Sequence, residues 1–385
     1  MYIYIFSFFL STFFLFIACN IKNKIVGKVF EIMGLLIPCL IGGLRDLSIG
    51  TDVNVYVEPL FDLSSNSTTF KQFFNKQWYS VYQYNYVRDY ELLFIVIVYV
   101  TEKIFNSISV LLFIIELMII FPFYYGIKKF KIKNDAWIIM LFYYLLFYNI
   151  GFNAMRQMIG ISIAFFGLSC LINENDKIKF SVFTIIAFLF HRSSLLIMIV
   201  YIIYNILNNN KIKNRYIFFG KLKINFKSII IFLFFLISIF IFYYNNLLLK
   251  IMGILNINIY SGYIMDDAII SFNKIIKSFP ILLFILLNYK KLKNINNFSF
   301  YFSMYLMYFI TSNLSSSSNQ YAGRISYIFE SFLPLLLYLI INVKNKKMLN
   351  SIIIISYLII LWYIEFVYFG RSQTVPYIFI NNKNY

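Results

Sequence analysis

The sequence is poor in charged residues, and this scarcity limits the class of protein that it can form. Only 13% of the 385 residues are charged, whereas 61% are hydrophobic and the mean hydropathy is +0.75. A soluble domain has about 25% charged residues, and no water-soluble fold could hide this much apolar surface. The composition therefore excludes a soluble globular protein and predicts an integral membrane protein.

Cysteine and histidine are also scarce. The three cysteines, Cys19, Cys39 and Cys170, lie in apolar stretches without CxxC or Cys/His spacing, so neither a disulfide framework nor a zinc site is indicated. The sequence has no P-loop, GxSxG or HExxH motif and no nearby pair of His and carboxylate ligands. We therefore expect no metal and no cofactor, and an ATP-driven pump or a metallohydrolase is not indicated.

What the sequence has in abundance is apolar runs. About 20 apolar residues cross a bilayer as a helix, so we predict an all-α integral membrane protein with about 12 spans, within limits of about 10 and about 14. The chain, 1–385, is expected to form a single polytopic membrane domain. Its N-terminus lacks a basic n-region and a cleavage signal and is expected to be a retained first span. The predicted spans are 2–18, 26–44, 107–125, 136–150, 154–172, 180–190, 194–207, 229–248, 275–287, 300–312, 325–341 and 351–368.

The basic residues set the expected topology. A net charge of +18 would favour a nucleic-acid partner in a soluble protein, but basic loops of membrane proteins lie on the cytoplasmic side, so we expect no nucleic acid. Basic clusters follow the odd-numbered spans, which places both termini outside. Residues 45–106 then form a large outer loop, and its segment 90–105, with Glu91, Glu102 and Lys103, is expected to be a re-entrant or interfacial helix.

The segments 180–190 and 194–207 have two interpretations. They could form one long helix with His191 and Arg192 in its middle, but a His-Arg pair at the bilayer centre would cost several kcal/mol. A single span would also place the next basic loop outside. We therefore expect two short helices that meet at a cavity.

Lysine and arginine are distributed differently by this topology. Of the 27 lysines, 20 fall in cytoplasmic loops, whereas six of the seven arginines fall on the outer side. Arginine carries a permanently charged planar fork that matches phosphate oxygens in pairs, so the pattern predicts an outward cavity that binds a diphosphate. Single arginines could instead snorkel to the interface or pair with Asp46, Asp89 or Glu91. The outer arginines are Arg45, Arg88, Arg156, Arg192, Arg324 and Arg371.

Two polar clusters lie at the outer ends of predicted spans. Arg45-Asp46 is followed by Gly50-Thr51-Asp52, where glycine permits a tight turn and the carboxylates could orient sugar hydroxyls or an arginine; an ordinary capped turn is the alternative. Asn153, Arg156 and Gln157 occupy positions i, i+3 and i+4, and a continuous helix would place them on one face. Gly160 and Ala164 below them allow close helix packing.

Two further clusters are candidates for chemistry. His191, the only histidine, stands beside Arg192 and can take and return a proton near neutral pH; a structural role is the alternative. Gln320 and Arg324 are one turn apart in the eleventh span, and Tyr327 could stack on a sugar or belong to the interfacial tyrosine belt.

The ordered set of motifs resembles the EpsG family of Wzy-like polysaccharide polymerases over about residues 40–377. The resemblance implies a helical bundle like that of GT-C membrane glycosyltransferases, with an outward-facing active site that uses undecaprenyl-diphosphate-linked glycans and no nucleotide sugar. Arg192 stands where we expect lysine or a small polar residue. The matching motifs are Arg45-(x)4-Gly50-Thr51-Asp52-(x)3-Tyr56, Asn153-(x)2-Arg156-Gln157, Phe190-His191-Arg192-Ser193, Tyr260-(x)2-Tyr263, Gly323-Arg324-(x)2-Tyr327 and Val375-Pro376-Tyr377.

The expected function is that of a glycosyltransferase that polymerises undecaprenyl-diphosphate-linked repeat units into surface polysaccharide, such as O-antigen, capsule or exopolysaccharide. We expect it at the outer face of the bacterial cytoplasmic (inner) membrane, with membrane lipid and a chain-length regulator protein as partners. His191 or Asp52 would be catalytic, and Arg45, Asn153, Arg156, Gln157, Arg192, Arg324 and Tyr327 would bind the diphosphate or glycan.

Three other functions are open at this point. A lipid-linked glycan ligase or another GT-C glycosyltransferase would use the same outer arginines with a different acceptor. A lipid-linked oligosaccharide flippase should have polar residues along the depth of several helices and often repeat symmetry; here polar residues crowd the outer ends, with Glu116 as the main exception. The arginine distribution disfavours a purely structural membrane component.

Overall fold

A computed structural model describes residues 1–80, 83–130, 132, 134–208, 216–219, 222–225, 272–313, 320–343 and 347–380. The chain divides into two compact units. The first unit comprises Met1–Leu195 and Ile353–Tyr385, and the second comprises Leu196–Ile352. The single polytopic domain expected from the sequence stays a prediction.

The first unit consists mainly of helices joined by short connections. A π-helical turn, Val53–Val57, follows the second helix, and another, Tyr144–Tyr148, joins α7 to α8. One short antiparallel hairpin pairs Trp78 with Asn85. The elements are α1 (Tyr2–Asn20), α2 (Lys24–Gly43), α3 (Glu58–Ser65), α4 (Phe70–Phe74), β1 (Gln77–Ser80), β2 (Gln83–Tyr86), α5 (Leu92–Phe105), α6 (Ile108–Lys129), α7 (Ala136–Tyr143), α8 (Asn149–Gly151), α9 (Met155–Glu174) and α10 (Lys177–Phe190).

Capping residues explain where several of these helices begin and end. Asn23 accepts hydrogen bonds from the N–H groups of Ile25 and Val26 at the start of α2, and Asp176 accepts one from Lys179 at the start of α10. Asn106 and Asn175 end α5 and α9 in the left-handed conformation, with φ of 45° and 53°. Asparagine tolerates that conformation better than most residues, so both helices stop where it occurs.

The core of the first unit is formed by helices that pack side by side. Helix α2 packs on α1 and α6, and α9 packs on α6 and α10. The Phe123 ring stacks on Tyr143 at 4.2 Å and on Phe165 at 4.5 Å between ring centroids. These contacts place α9, which is almost fully buried, between its two neighbours.

The second unit is also helical. Helix α13 packs against α11, α12, α14 and α15, and Tyr305 on α13 donates a hydrogen bond to Ser278 O on α12 at 2.6 Å. Its elements are α11 (Ile197–Asn208), β3 (Tyr216–Phe219), β4 (Leu222–Asn225), α12 (Phe272–Leu292), α13 (Phe298–Asn313), α14 (Gln320–Glu330), α15 (Leu333–Ile341) and α16 (Lys347–Trp362), the last of which continues into the first unit.

The helices confirm a mainly α-helical membrane protein. Among the described residues, five helices are long and apolar enough to cross a bilayer, and a sixth results if the bent pair Gly323–Glu330 and Leu333–Ile341 is one span. Ala136–Gly151 and Arg192–Asn208 are shorter apolar helices. The count of about 12 spans stays a prediction, and the predicted span 229–248 lies outside the described residues.

Three local features differ from the expected pattern or refine it. The span predicted at 325–341 is broken by a bend of 44°, and Pro334, which lacks an N–H, lies in the first turn of the new helix. Two short hairpins lie in hydrophilic segments that were expected to be loops. The expected break at His191 is confirmed, since α10 ends at Phe190 and His191 has extended backbone angles.

Candidate functional site

All five arginines of the first unit lie at one end of its helical bundle, which we name the arginine end: Arg45, Arg88, Arg156, Arg192 and Arg371. The loop after α2 reaches the start of α9 there, because Met155 N–H donates to Asp52 Oδ2 at 3.1 Å. The end of α10 also reaches it, because Gln157 Nε2 donates to Ser193 Oγ at 3.2 Å. Three segments distant in sequence thus meet at one place.

Arg156 is at the centre of this meeting point. Its Nη1 forms an ion pair with Glu91, whose side chain is 7% exposed. The guanidinium carbon lies 4.7 Å from the centroid of the Tyr56 ring and 4.5 Å from that of Tyr90. Arg156 Nε is buried and has no hydrogen-bond partner among the described residues. The guanidinium is therefore held rigidly while one of its N–H donors stays unused by that part of the protein.

Glu91, the first residue before α5, supplies the countercharge. Burial alone would raise the pKa of Glu91, but the adjacent guanidinium of Arg156 outweighs it and holds this pKa below its usual value. The carboxylate is therefore ionised at neutral pH. An ionised pair fixes the position of Arg156 more firmly than a neutral hydrogen bond would.

Asp52 lies beside Arg156 and joins two elements. Its Oδ2 accepts hydrogen bonds from Tyr56 OH and from the first N–H of α9, at Met155. The first N–H groups of a helix have no partner within the helix, so this carboxylate caps α9 from another part of the chain. Burial and the nearby Asp52 charge raise the pKa of Tyr56 well above its usual value, so Tyr56 remains a hydrogen-bond donor.

The loop that carries Asp52 is fixed by its backbone. Gly50 has φ of +88°, and a Cβ there would lie 2.7 Å from Phe152 O, which confirms the expected tight turn. Thr51 N–H donates to Asn153 Oδ1 at 3.0 Å. The expectation that Asn153 shares a helix face with Arg156 and Gln157 is wrong, because α9 begins at Met155 where Asp52 caps it.

His191 lies at the end of α10 and is 6% exposed. Ser193 Oγ lies 2.7 Å from His191 Nδ1 and accepts a hydrogen bond from Gln157 Nε2. Ser193 N–H also points to Nδ1, at 3.3 Å. Because two donors converge on Nδ1, we assign the imidazole proton to Nε2. Ser193 Oγ thus stands between the amide of Gln157 and the imidazole.

Arg45 occupies a different environment. Its side chain is 0% exposed, and Nη1 contacts Gly42 O at 2.5 Å and Glu116 Oε1 at 3.4 Å. Its guanidinium carbon lies 3.9 Å from the centroid of the Phe152 ring. These contacts enclose the group in protein and tie the end of α2 to α6. A direct contact of Arg45 with substrate stays a prediction.

The remaining sequence-predicted residues are more scattered. Arg192 is exposed beside His191. Arg324 and Tyr327 lie on α14 in the second unit, so their place relative to Arg156 stays a prediction. The tyrosines Tyr260 and Tyr263 of the resemblance lie outside the described residues.

Sequence reasoning gave no site role to Tyr90 or Ser193, and it named Glu91 only as one of three possible partners of an arginine. Glu91 was treated as part of an interfacial segment, although a carboxylate just before an apolar helix is a signal for a buried partner. Tyr90 and Ser193 adjoin Glu91 and His191 in sequence, and only the fold shows that both face the start of α9.

The arrangement is chemically suited to a phosphorylated ligand. A fixed arginine with a spare donor, a hydroxyl–imidazole pair and aromatic rings are assembled at one end of a membrane bundle. Comparison with known proteins agrees with the motifs. The sequence model of the EpsG family matches residues 28–379. No curated protein and no solved structure matches the chain.

Proposed function

The chain belongs to the EpsG family of Wzy-like polysaccharide polymerases, and on that premise we propose that it joins undecaprenyl-diphosphate-linked repeat units into surface polysaccharide. The family and the apolar helices make it a membrane protein of polysaccharide biosynthesis. The proposal adds the lipid carrier, the reaction and the residues that perform it. A GT-C-like bundle remains part of this proposal.

The observation that carries the proposal is the environment of Arg156. A guanidinium offers two edges, and here Glu91 takes Nη1 whereas Nε has no partner among the described residues. Phosphate oxygens are good acceptors for an arginine donor that has no other partner. We assign the diphosphate of the donor lipid to Arg156, where the arginine would stabilise charge that develops on the leaving group.

The reaction balances without ATP. A hydroxyl oxygen at the non-reducing end of the incoming lipid-linked unit attacks the anomeric carbon of the growing chain. The bond from that carbon to the diphosphate oxygen breaks, and undecaprenyl diphosphate leaves with the bonding electrons. The proton of the attacking hydroxyl passes to a base on the protein.

We propose His191 as that base, with Ser193 as the relay. Ser193 Oγ lies 2.7 Å from Nδ1 and is more exposed than the imidazole, so the acceptor hydroxyl would meet Ser193 first. Asp52 is the alternative base, but its Oδ2 already accepts two hydrogen bonds within the protein. In this scheme Asp52 mainly orients α9 and Tyr56.

The other predicted residues take supporting roles. Gln157 orients Ser193, and Asn153 holds the Asp52 loop. Arg192 is exposed next to His191 and would meet a phosphate or glycan at the rim. Arg324 and Tyr327 of the second unit are proposed to bind a lipid-linked glycan, whereas Arg45 is proposed to support the substrate site of the first unit from within the protein.

The proposed orientation is supported by the charges at the opposite end of the same bundle, which we name the lysine end: Lys28, Lys128, Lys129, Lys177 and Lys179. Lysine-rich ends of membrane proteins face the cytoplasm. We therefore propose that the arginine end faces the outside or periplasm of the cytoplasmic membrane. Undecaprenyl-linked glycans would reach it there, together with a chain-length regulator protein.

A deletion strain tests the proposed function. Without the gene, the surface glycan should carry single repeat units and no long chains, because assembly and export precede polymerisation. Re-expression of the wild-type chain should restore long chains in an immunoblot of surface glycan. Loss of the single units as well would indicate a flippase or an early transferase, and long chains that stay on the lipid carrier would indicate a ligase.

A further inference from the structure

Residues 374–380, which we name the C-terminal strap, cross the arginine end of the first unit. Tyr4 OH donates to Thr374 O at 2.8 Å, although 370 positions separate the two residues. Asn149 Nδ2 donates to Thr374 Oγ1 at 2.9 Å, and Trp362 Nε1 donates to Asn149 Oδ1 at 2.8 Å. Thr374 and Asn149 are both fully buried. The strap is thus anchored by a chain of hydrogen bonds that joins α1, α8 and α16.

The strap also pairs with the loop that follows α2. Asp46 N–H donates to Ile378 O, and Ile380 N–H donates to Leu44 O, each at 2.9 Å. These two bonds flank the antiparallel bridge between Arg45 and Phe379. Tyr377 OH donates to Ile41 O at 2.8 Å. The strap therefore fixes both the backbone and the direction of the chain as it leaves α2.

The far side of this loop holds the start of α9. Residues 46–52 form the loop that links the strap contact at Arg45 to the start of α9. Gly50 N–H in this loop contacts the carbonyl of Gln373, the residue that precedes the strap in sequence, at 3.4 Å. Asp52 then caps Met155, and Asn153 holds Thr51. A displacement of the strap would pass through this short loop to Arg156, which follows Met155 directly.

We propose that the C-terminal strap is a positioning element that sets the placement of the Asp52 loop and hence of Arg156, with Thr374 as its anchor. The effect on catalysis rests on the proposed function, whereas the effect on the loop does not. Thr374 touches no reacting group in this scheme and acts through Asn149 and the loop. A misplacement of about 1 Å at a catalytic group can lower the rate by about a hundredfold, so a remote anchor of this kind can control turnover.

The test compares Thr374→Val with Thr374→Ser in the full-length membrane protein. Valine keeps the shape of threonine but removes the acceptor for Asn149, whereas serine keeps it. Thr12→Val is the matched control, because Thr12 is buried in α1 and its hydroxyl, among the described residues, bonds the carbonyls of Phe8 and Phe9 in its own helix. At equal abundance, kcat for lipid-linked repeat units should fall about tenfold or more in Thr374→Val. Serine and the control should stay near wild type.

An engineered disulfide, which we call the lock, distinguishes a loss of positioning from a loss of folding in Thr374→Val. Leu44 and Ile380 are opposite each other beside the antiparallel bridge, and neighbouring antiparallel strands bring such pairs within disulfide reach. Leu44→Cys with Ile380→Cys, oxidised in the Thr374→Val chain, should restore kcat, and reductant should remove the gain. Failure of the formed disulfide to restore kcat, or inactivation of the otherwise wild-type chain by the lock, would overturn the proposal.

Hydrogen exchange of the purified protein gives a readout that does not need activity. The peptide that covers residues 45–53 should exchange at least tenfold faster in Thr374→Val, while the lysine end of α2 is unchanged. Equal hydrogen exchange of this peptide in the wild-type protein and in Thr374→Val would overturn the strap proposal. If the wild-type protein makes no polymer but residues 45–53 still exchange faster in Thr374→Val than in wild type, the proposed function is wrong and the strap proposal is supported.

Discussion

Arg156 is restrained from three sides, and this restraint determines what it can do. The ion pair with Glu91 takes one nitrogen, and the rings of Tyr56 and Tyr90 lie against the guanidinium. Removing one partner of such a buried pair costs about 3–5 kcal/mol, because the other charge is left unpaired. Arg156 Nε has no partner among the described residues, and the proposed function assigns this donor to the ligand.

The first prediction is that Arg156→Lys abolishes long-chain glycan while its abundance in the membrane stays near wild type. Lysine keeps the charge but replaces the planar fork with a compact ammonium, so paired donation to phosphate is lost. The measurement is the glycan chain length together with an immunoblot of the membrane fraction.

Lys129→Arg serves as the control for this change. Lys129 pairs with Glu174 at the lysine end. The substitution Lys129→Arg should therefore change neither the glycan chain length nor the abundance of the protein. Wild-type chain lengths from Arg156→Lys at normal abundance would exclude a diphosphate fork at this residue, and Arg324 would become the leading candidate.

Individual site residues were only partly predictable from the sequence. Arg156, Gln157 and His191 could be selected because permanent charge and a lone histidine are costly in a membrane and need a reason to be there. Asp52 and Glu91 could be named as candidates, but their contacts with α9 could not be predicted, because these residues reach it from about 65 to about 100 positions away in the chain. Local periodicity carries no information about contacts at that separation.

At the scale of elements, the crossing of α9 and α10 brings together the two segments that carry the proposed site residues. Gly160 lies where the helices touch, since a Cβ there would collide with Ser194 Oγ and lie 3.1 Å from Ala187 O. The absence of a side chain lets α10 approach closely. Gln157, one turn before Gly160, can therefore reach Ser193.

The second prediction is that Gly160→Ala destabilises the first unit by about 1–3 kcal/mol through overpacking. The measurement is the thermal unfolding of the detergent-purified protein, where the midpoint should fall. Gly151→Ala is the control, because the nearest atom to a Cβ at Gly151 is Ile119 Cδ1 at 3.9 Å, and its midpoint should be near that of wild type.

A second-site change sharpens this test. Ser194→Ala removes the oxygen that collides with the new methyl group, so it should recover part of the lost stability when it is combined with Gly160→Ala. Equal midpoints for Gly160→Ala and Gly151→Ala would show that the close crossing does not hold in the membrane protein.

Helix positions were the most predictable elements. The apolar runs gave α1, α2, α6 and α9 within a few residues, because a spanning helix needs a long apolar sequence. The two hairpins and the bend before Leu333 were missed, since each depends on short local pairing or on Pro334 rather than on hydropathy. Helix α5 was placed correctly, but its role as the support for Glu91 was not visible.

At the scale of the molecule, the arginines of the first unit lie at its arginine end, where Lys76 and Lys103 also lie, whereas the lysine end carries lysine. At the lysine end, Glu31 joins Lys28 on α2 to Lys128 on α6, so the ends of these helices are tied by one buried carboxylate. At the arginine end, Glu91 and Glu116 pair with arginine. The lysine cluster agrees with the sequence-based expectation that the cytoplasmic loops are rich in lysine, and the orientation itself stays a prediction.

The third prediction concerns this orientation. A cysteine in place of the exposed Asn66 at the arginine end should react with a membrane-impermeant maleimide in intact cells, whereas one in place of the exposed Lys177 should react only after the membrane is opened. The wild-type chain controls for Cys19, Cys39 and Cys170, none of which is exposed. Labelling of both positions from the same side would contradict the arginine argument.

The central claim is that this chain forms glycosidic bonds between lipid-linked repeat units, and reconstitution tests it most directly. Purified protein in liposomes should receive only undecaprenyl-diphosphate-linked repeat units, with no ATP, nucleotide sugar or other enzyme, and the lipid-linked products should be resolved by mass. The account predicts a ladder of products spaced by one repeat unit, with one undecaprenyl diphosphate released for each bond formed, and no ladder from Arg156→Lys. Wild-type protein that leaves every unit monomeric, or moves units across the bilayer without joining them, would contradict the account.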